Sequence, residues 1–113
     1  MTSQQLLSQQ LTSISFKDVI TVITHEYDYS PTSFSNGDLC NEAGTNEGSC
    51  KIFYFAKLNE LPENVTLALF GQYYRMDVLE NPEGSDHSNI RNFIKNGWQG
   101  ITFDSVALTK KTL

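Results

Sequence analysis

The sequence predicts an α+β fold, mostly helical, with a small antiparallel sheet. Three observations indicate this class: segments with apolar residues at helical spacing, two short segments that alternate polar and apolar residues, and large aromatic side chains, with seven Phe, five Tyr and one Trp. A chain of 113 residues has the usual length of one domain with one modest core. We therefore expect residues 1–113 to form a single domain.

Charge and composition exclude several classes of function. The net charge is −5, from 13 acidic and 8 basic residues, whereas nucleic acids and anionic membranes favour basic surfaces. Residues 18–50 hold six acidic residues and no Lys or Arg, which we interpret as a solvated acidic surface. A cation site or a docking patch for a basic partner is the alternative. The chain contains no glycine-rich phosphate loop and no zinc motif, so we predict no cofactor and no metal.

Cysteine content and hydropathy indicate where the protein is found. Cys40 and Cys50 are too few for a disulfide framework, and we expect both thiols to be reduced. The sequence shows no secretory signal peptide and no membrane-spanning segment. The expected location is therefore the cytoplasm.

The N-terminal segment is polar, and its first 17 residues include no acidic residue. Thr2 or Ser3 is suited to cap a helix there. Three apolar residues share one face of that helix: Leu7, Leu11 and Ile14. One interpretation is a short helix that packs against the domain. The alternative is that residues 1–15 form a flexible export segment, because export signals are often polar and poor in acidic residues.

Residues 15–49 predict a helix, a strand and a long loop. Ser15 is a suitable N-cap, with Asp18 at the third helical position. Residues 26–30 alternate polar and aromatic side chains, as strands do. We expect this strand to pair with a second strand at residues 100–104. Residues 31–49 have no period, and we predict a loop there.

Two helices are predicted in the middle of the chain. The first begins at Cys50, with Ser49 as its N-cap, and ends near Asn59 in the left-handed conformation. The second covers residues 62–79. Gly71 lies on the apolar stripe of this second helix, where glycine is costly, so we predict close approach of another backbone.

A last helix and a second strand complete the predicted fold. Ser85 or Asp86 is expected to cap the helix, which runs to Asn96 and ends at Gly97. The alternation of Ile101 and Phe103 with polar neighbours indicates the strand.

Cys50 is the sharpest catalytic candidate. At the first position of a helix, free backbone N–H groups and the helix dipole favour a thiolate. His87 would then act as the base and Asp86, Asp77 or Asn89 as the group that orients it, as nucleophilic cysteine sites require. The alternative is a small buried cysteine that packs in the core.

A second cluster of candidates comprises Arg75, Asp77, Asp86, His87 and Arg91. The first interpretation is a set of structural ion pairs around helix ends. In the alternative, the two Arg and the His form an anion pocket at a helix start. The Asp and His residues are also possible metal ligands, although their spacing matches no metal motif.

Asparagine residues in the 31–49 segment have a structural interpretation. Asn36-Gly37 is a turn signal. We expect Asn36, Asn41 and Asn46 to hold the loop through side-chain to backbone hydrogen bonds. Asn46 is also included with Arg75, Asp77 and Arg91 among the candidate binding residues.

Five blocks of the chain, in this order, resemble the HopJ type III effector family: Asn36-Gly37, residues 43–51 (AGTNEGSCK), residues 70–79 (FGQYYRMDVL), residues 86–91 (DHSNIR) and residues 97–103 (GWQGITF). The resemblance implies a small bacterial α+β domain, classed with effectors that type III secretion delivers into a host cell. It supplies no catalytic residues.

Three hypotheses for function follow from the sequence. The leading one is a monomeric, effector-like protein that acts through an unknown protein partner. The second is a small enzyme that uses Cys50 and His87. The third is a housekeeping protein that stays in the bacterial cytoplasm and is not exported.

Overall fold

The computed structural model describes residues 1–112. The helices are α1 (Ser3–Leu7), α2 (Phe16–Glu26), α3 (Glu47–Leu58), α4 (Glu63–Ala68) and α5 (Ser88–Asn96). The strands are β1 (Tyr27–Tyr29), β2 (Phe34–Asn36), β3 (Leu39–Asn41), β4 (Ile101–Phe103) and β5 (Leu108–Lys110). Two 3₁₀ segments (Leu11–Ser13 and Gly97–Gly100) and a π-helix (Tyr73–Val78) complete the secondary structure. The predicted α+β class, mostly helical with antiparallel strands, is confirmed.

Polar side chains begin the first two helices, as predicted. Thr2 starts α1 with a capping box: its hydroxyl accepts the Gln5 N–H at 3.1 Å, and the Gln5 side chain accepts the Thr2 N–H at 2.9 Å. Ser15 caps α2 by accepting the Asp18 N–H at 3.2 Å. The first helix is shorter than predicted, and Leu6 supplies its buried side chain.

The strands form two small antiparallel sheets, with the orders β1-β5 and β3-β2-β4. The predicted pairing of residues 26–30 with residues 100–104 is wrong. Tyr27 lies opposite Lys110 in the first sheet, and Phe34 lies opposite Phe103 in the second. The prediction failed because β2 and β5 were not expected: β4 pairs with β2, and β1 pairs with β5.

The predicted loop at residues 31–49 contains the β2-β3 hairpin, so the prediction of a segment without strands is wrong. Gly37 is the first of the two residues that link the strands, and its φ of 63° lies in the left-handed region. Glycine is favoured at that position of a two-residue hairpin turn. The Gly37 N–H also donates to the Gly100 carbonyl at 2.9 Å, which ties the turn to the segment before β4.

The predicted helix at residues 62–79 is interrupted. Helix α4 ends at Ala68, Gly71 has a φ of 60°, and the chain then enters the π-helix. A Cβ at Gly71 would lie 2.7 Å from the backbone nitrogen of Phe16, so the predicted close approach of another backbone is confirmed. The continuous helix is wrong because Gly71 is left-handed, a conformation through which a right-handed α-helix does not continue.

Aromatic rings around Phe53 form the centre of the core. Its ring centroid lies 4.9 Å from that of Phe93, 5.3 Å from Phe70, 6.2 Å from Phe34 and 6.5 Å from Trp98. These contacts join α3 to α5, to β2 and to the segments that follow α4 and α5. Within residues 1–112, no helix is long and apolar enough to cross a membrane.

Candidate functional site

Four of the predicted site residues lie together where the π-helix meets the start of α5. The His87 Nε2 atom lies 2.9 Å from Asp77 Oδ2 and 3.8 Å from Asp86 Oδ2. Asp86 also forms an ion pair with Arg91, with Nη2 and Oδ1 2.6 Å apart. We refer to Asp77, Asp86 and His87 as the His87 cluster.

The backbone places His87 between the π-helix and α5. His87, with a φ of 51°, is the residue before the first turn of α5. The predicted cap at Ser85 or Asp86 is therefore wrong, because the helix begins from a left-handed residue and has no side-chain cap hydrogen bond. The imidazole packs on the Tyr73 ring, with 5.2 Å between centroids.

Arg91 organises the turn that carries Asp86. Its guanidinium donates to the carbonyl oxygens of Asn81 at 2.9 Å, Asp86 at 2.6 Å, and Pro82 and Asp77 at 3.4 Å. The hydrogen bond from Arg91 lowers the pKa of the Asp86 carboxyl below its usual value. Arg91 therefore holds Asp86 as a carboxylate in a defined position.

A cleft of about 480 Å³ adjoins the His87 cluster. Its apolar lining includes the aromatic rings of Phe16, Phe70 and Tyr73. Its polar lining comes from residues at the starts of α3 and α5: Asn46, Ser49, His87, Ser88 and Asn89. We refer to this space as the α3/α5 cleft.

Both helices that border the cleft begin in the same way. Asn46 before α3 and His87 before α5 are left-handed, with φ of 50° and 51°, and neither start has a side-chain cap hydrogen bond. The first backbone N–H groups of a helix have no partner within the helix. A left-handed residue next to a helical one turns successive N–H groups toward one point, which favours an anion. The cleft therefore combines aromatic contact area with the backbone N–H groups of two helix starts, beside the acidic side chains of Glu47 and Asp86.

A network of four asparagines supports the floor of the cleft. Asn89, which is buried, accepts hydrogen bonds from Asn36 at 3.0 Å and from Asn41 at 3.1 Å, and donates to Asn41 at 2.9 Å. Asn46 donates to Asn41 at 2.7 Å. The predicted side-chain to backbone hydrogen bonds are present for Asn36, which donates to the Asn89 carbonyl at 2.8 Å, and for Asn41, which donates to the Phe34 carbonyl at 3.4 Å. The hydrogen bond from Asn46 goes to a side chain instead, and the partner of the network on α5 was not anticipated.

The structure places Cys50 in the core. The predicted cap at Ser49 is wrong, since α3 begins at Glu47 and Cys50 is its fourth residue, with its N–H bonded to the Asn46 carbonyl at 3.0 Å. The Cys50 side chain is 1% exposed, and its thiol lies 3.9 Å from the Thr32 carbonyl. Burial raises the pKa of this thiol, so the neutral form is favoured. His87 lines the cleft, and among residues 1–112 no hydrogen bond joins its ring to the Cys50 thiol, whose contact is the Thr32 carbonyl.

Arg75 lies apart from the other predicted binding residues. Its guanidinium donates to the Ile14 carbonyl at 2.9 Å and to the Leu11 carbonyl at 3.3 Å. It therefore binds the N-terminal segment, whereas the Arg91 guanidinium binds the turn before α5. Asn46, the remaining candidate, borders the cleft.

Several cleft residues were not predicted from the sequence. Phe16, Tyr73, Ser49 and Ser88 line the cleft, but as single residues they resemble ordinary core, capping or surface positions. The signal that points to them is Gly71. Its close contact with Phe16 places the start of α2 beside the π-helix, and these two elements supply the aromatic wall.

Comparisons with known proteins give the chain a family. The family described as HopJ type III effector protein matches residues 2–108. A solved structure, described as "Crystal structure of unknown function protein VPA0580", has a TM-score of 0.95 and 48% sequence identity, and the match covers 98% of this chain and 95% of the other. A search of curated proteins found no match.

Proposed function

From the premise that this chain belongs to the HopJ type III effector family, we propose that it is an effector-like protein that binds a protein partner through the α3/α5 cleft. The single observation that supports the cleft as the binding surface is the convergence of two uncapped helix starts on one aromatic-lined cavity. Membership of the family supports the proposal that the protein is effector-like. The cleft supports the proposal that it acts by binding a protein partner.

The chemistry of the cleft indicates the kind of segment it would accept. Helix N-termini stabilise negative charge, so an acidic side chain or a carboxylate of the partner fits beside Ser49 and Ser88. The rings of Phe16 and Tyr73 offer contact area to an apolar neighbour of that acid. We therefore expect an extended partner segment in which an acidic residue adjoins an apolar one.

Site-specific photo-crosslinking tests the cleft as the binding surface. A photoreactive amino acid would replace Ser88, which is exposed and lines the cleft, in the protein produced inside host cells. The matched control is the same replacement at Lys95, an exposed position on the same helix. We expect a discrete adduct from position 88 that is absent from position 95 and competed by the protein without the photoreactive group. Equal labelling from both positions, or none from either, would contradict the proposal.

The export part of the proposal is supported by the polar, acid-free N-terminal segment. In the folded protein this segment is packed: Leu6 and Ile14 are fully buried, and the Ser3 N–H donates to the Glu26 carboxylate at 2.7 Å. If the segment acts as an export signal in the folded protein, it must first unfold from the rest of the domain. A reporter joined after residue 15 should leave a secretion-competent cell and remain inside an otherwise identical cell that lacks the apparatus. Retention in both cells would count against export and would favour the housekeeping hypothesis.

A further inference from the structure

The His87 cluster brings together three side chains that are common metal ligands. One ligand atom from each of Asp77, Asp86 and His87 can be chosen so that all three atoms lie within 4.8 Å of one another. We propose that this cluster binds a divalent transition-metal ion. The inference goes beyond the proposed function, because it assigns a metal site and does not depend on the partner.

The distances within the cluster fit a shared ion. Ligand atoms that surround one ion at bonds of about 2.0–2.2 Å lie roughly 3–3.5 Å from each other. The His87 Nε2 atom lies 2.9 Å from Asp77 Oδ2, a hydrogen bond that the ion would replace, and 3.8 Å from Asp86 Oδ2. The same imidazole nitrogen faces both carboxylates, and it is this atom that would coordinate the ion.

Neighbouring groups support the cluster as a ligand set. Arg91 binds Oδ1 of Asp86 and leaves Oδ2 directed toward His87, in the way that outer residues orient metal-binding carboxylates. Two carboxylates and the Arg91 guanidinium sum to one negative charge, which attracts a cation. Asp77 is presented by a π-helix, a rare conformation that is frequent at functional sites.

The donor set indicates the class of ion. One imidazole and two carboxylates are borderline-to-hard ligands that suit Zn²⁺, Mn²⁺ or Fe²⁺ better than the soft ion Cu⁺. Three protein ligands leave coordination positions open, as in catalytic rather than structural zinc sites. Since His87 also lines the α3/α5 cleft, a group bound in the cleft has access to the ion.

Titration calorimetry with Zn²⁺ tests the site in the full chain after treatment with a chelator. The Cys40→Ser background removes the exposed thiol as a competing ligand. We expect one ion per chain, with affinity reduced about tenfold or more in Asp77→Asn and in His87→Gln. His25→Gln is the matched control, because it removes the other histidine, which is exposed near the end of α2.

A second measurement needs no variant and so cannot be confused with misfolding. Paramagnetic Co²⁺ is added to the protein, and the imidazole NMR signals of its two histidines are followed. We expect the signals of His87 to shift or broaden at an equimolar concentration of Co²⁺ while those of His25 persist. Equal effects on both histidines, or no effect at a large excess of Co²⁺, would overturn the proposal. Zinc affinity that falls in His25→Gln but not in His87→Gln would do the same.

Discussion

The reactivity of Cys50 distinguishes the hypothesis of an enzyme that uses Cys50 and His87 from the hypothesis of a binding protein. In a Cys40→Ser protein, where Cys50 is the remaining thiol, we predict slow alkylation at neutral pH that is unchanged by His87→Ala. The reason is that the side chain is 1% exposed and burial raises its pKa, so little thiolate is available. The measurement is the rate of reaction with iodoacetamide as a function of pH.

A control in denaturant and the pH dependence of stability test whether folding buries this thiol. In denaturant the same thiol should react at the rate of an ordinary cysteine, which shows that folding is what protects it. Because the folded state holds Cys50 in its neutral form, the free energy of unfolding should fall as the pH rises above 9.0, the ordinary thiol value. Fast alkylation at neutral pH that slows in His87→Ala would instead support the enzyme that uses Cys50 and His87.

The sequence was a better guide to the charged residues than to the position of Cys50. The interpretation of the charged cluster as ion pairs fits Asp77, Asp86, His87 and Arg91. It does not fit Arg75, which donates to backbone carbonyls of the N-terminal segment. The position of Cys50 was missed because the start of α3 depends on Asn46 in the left-handed conformation, without a side-chain cap. Preferences for capping residues apply to an N-cap residue in the usual extended backbone conformation. They do not identify a helix that begins after a left-handed residue.

At the scale of elements, Gly71 holds two segments together. We predict that Gly71→Ala destabilises the protein more than Gly44→Ala does. Both glycines have positive φ, which costs alanine about 1–2 kcal/mol. A Cβ at Gly44 meets nothing within 4 Å, whereas one at Gly71 lies 2.7 Å from the backbone of Phe16 and should add about 1–3 kcal/mol. Urea unfolding of the two variants measures the difference.

Equal losses of stability in the two alanine variants would mean that the contact between Gly71 and α2 is not a constraint. A larger loss at Gly71 should be accompanied by weaker crosslinking from the cleft. This follows because the contact positions Phe16 and the π-helix, which form the aromatic wall of the cleft.

The strands were the least predictable elements. Segments with helical periodicity located α2, α3 and α5 with errors at their ends, because several turns of apolar residues indicate one buried face. The helix predicted at residues 62–79 is the exception, since it is interrupted at Gly71. All five strands have three residues, and alternation located β1 and β4 but not β2, β3 or β5. Leu108 is buried in β5 and Phe34 in β2, yet each is the single large apolar residue of its strand, so neither strand was found. The missed strands then made the pairing of the others wrong.

At the scale of the whole molecule, the N-terminal segment and the rest of the chain pack as one structure. Leu6 and Ile14 belong to the same buried cluster as the rings around Phe53. Arg75 adds hydrogen bonds to two carbonyl oxygens of the segment. The segment that is the candidate export signal is therefore also part of the core, and folding competes with any receptor that needs it extended.

This competition yields a prediction for Arg75→Met. Loss of hydrogen bonds from a charged donor should weaken the attachment of residues 3–14 by about 1.5–3 kcal/mol. Amide hydrogen exchange of that segment should therefore become at least about tenfold faster, while α3 keeps its protection. Arg91→Met is the matched control, since that guanidinium binds the turn at residues 81–86 and not the N-terminus. If packing limits export, the Arg75 variant should also leave a secretion-competent cell more efficiently. Faster exchange with unchanged export would mean that the chain is delivered before it folds, and unchanged exchange would mean that apolar burial alone holds the segment.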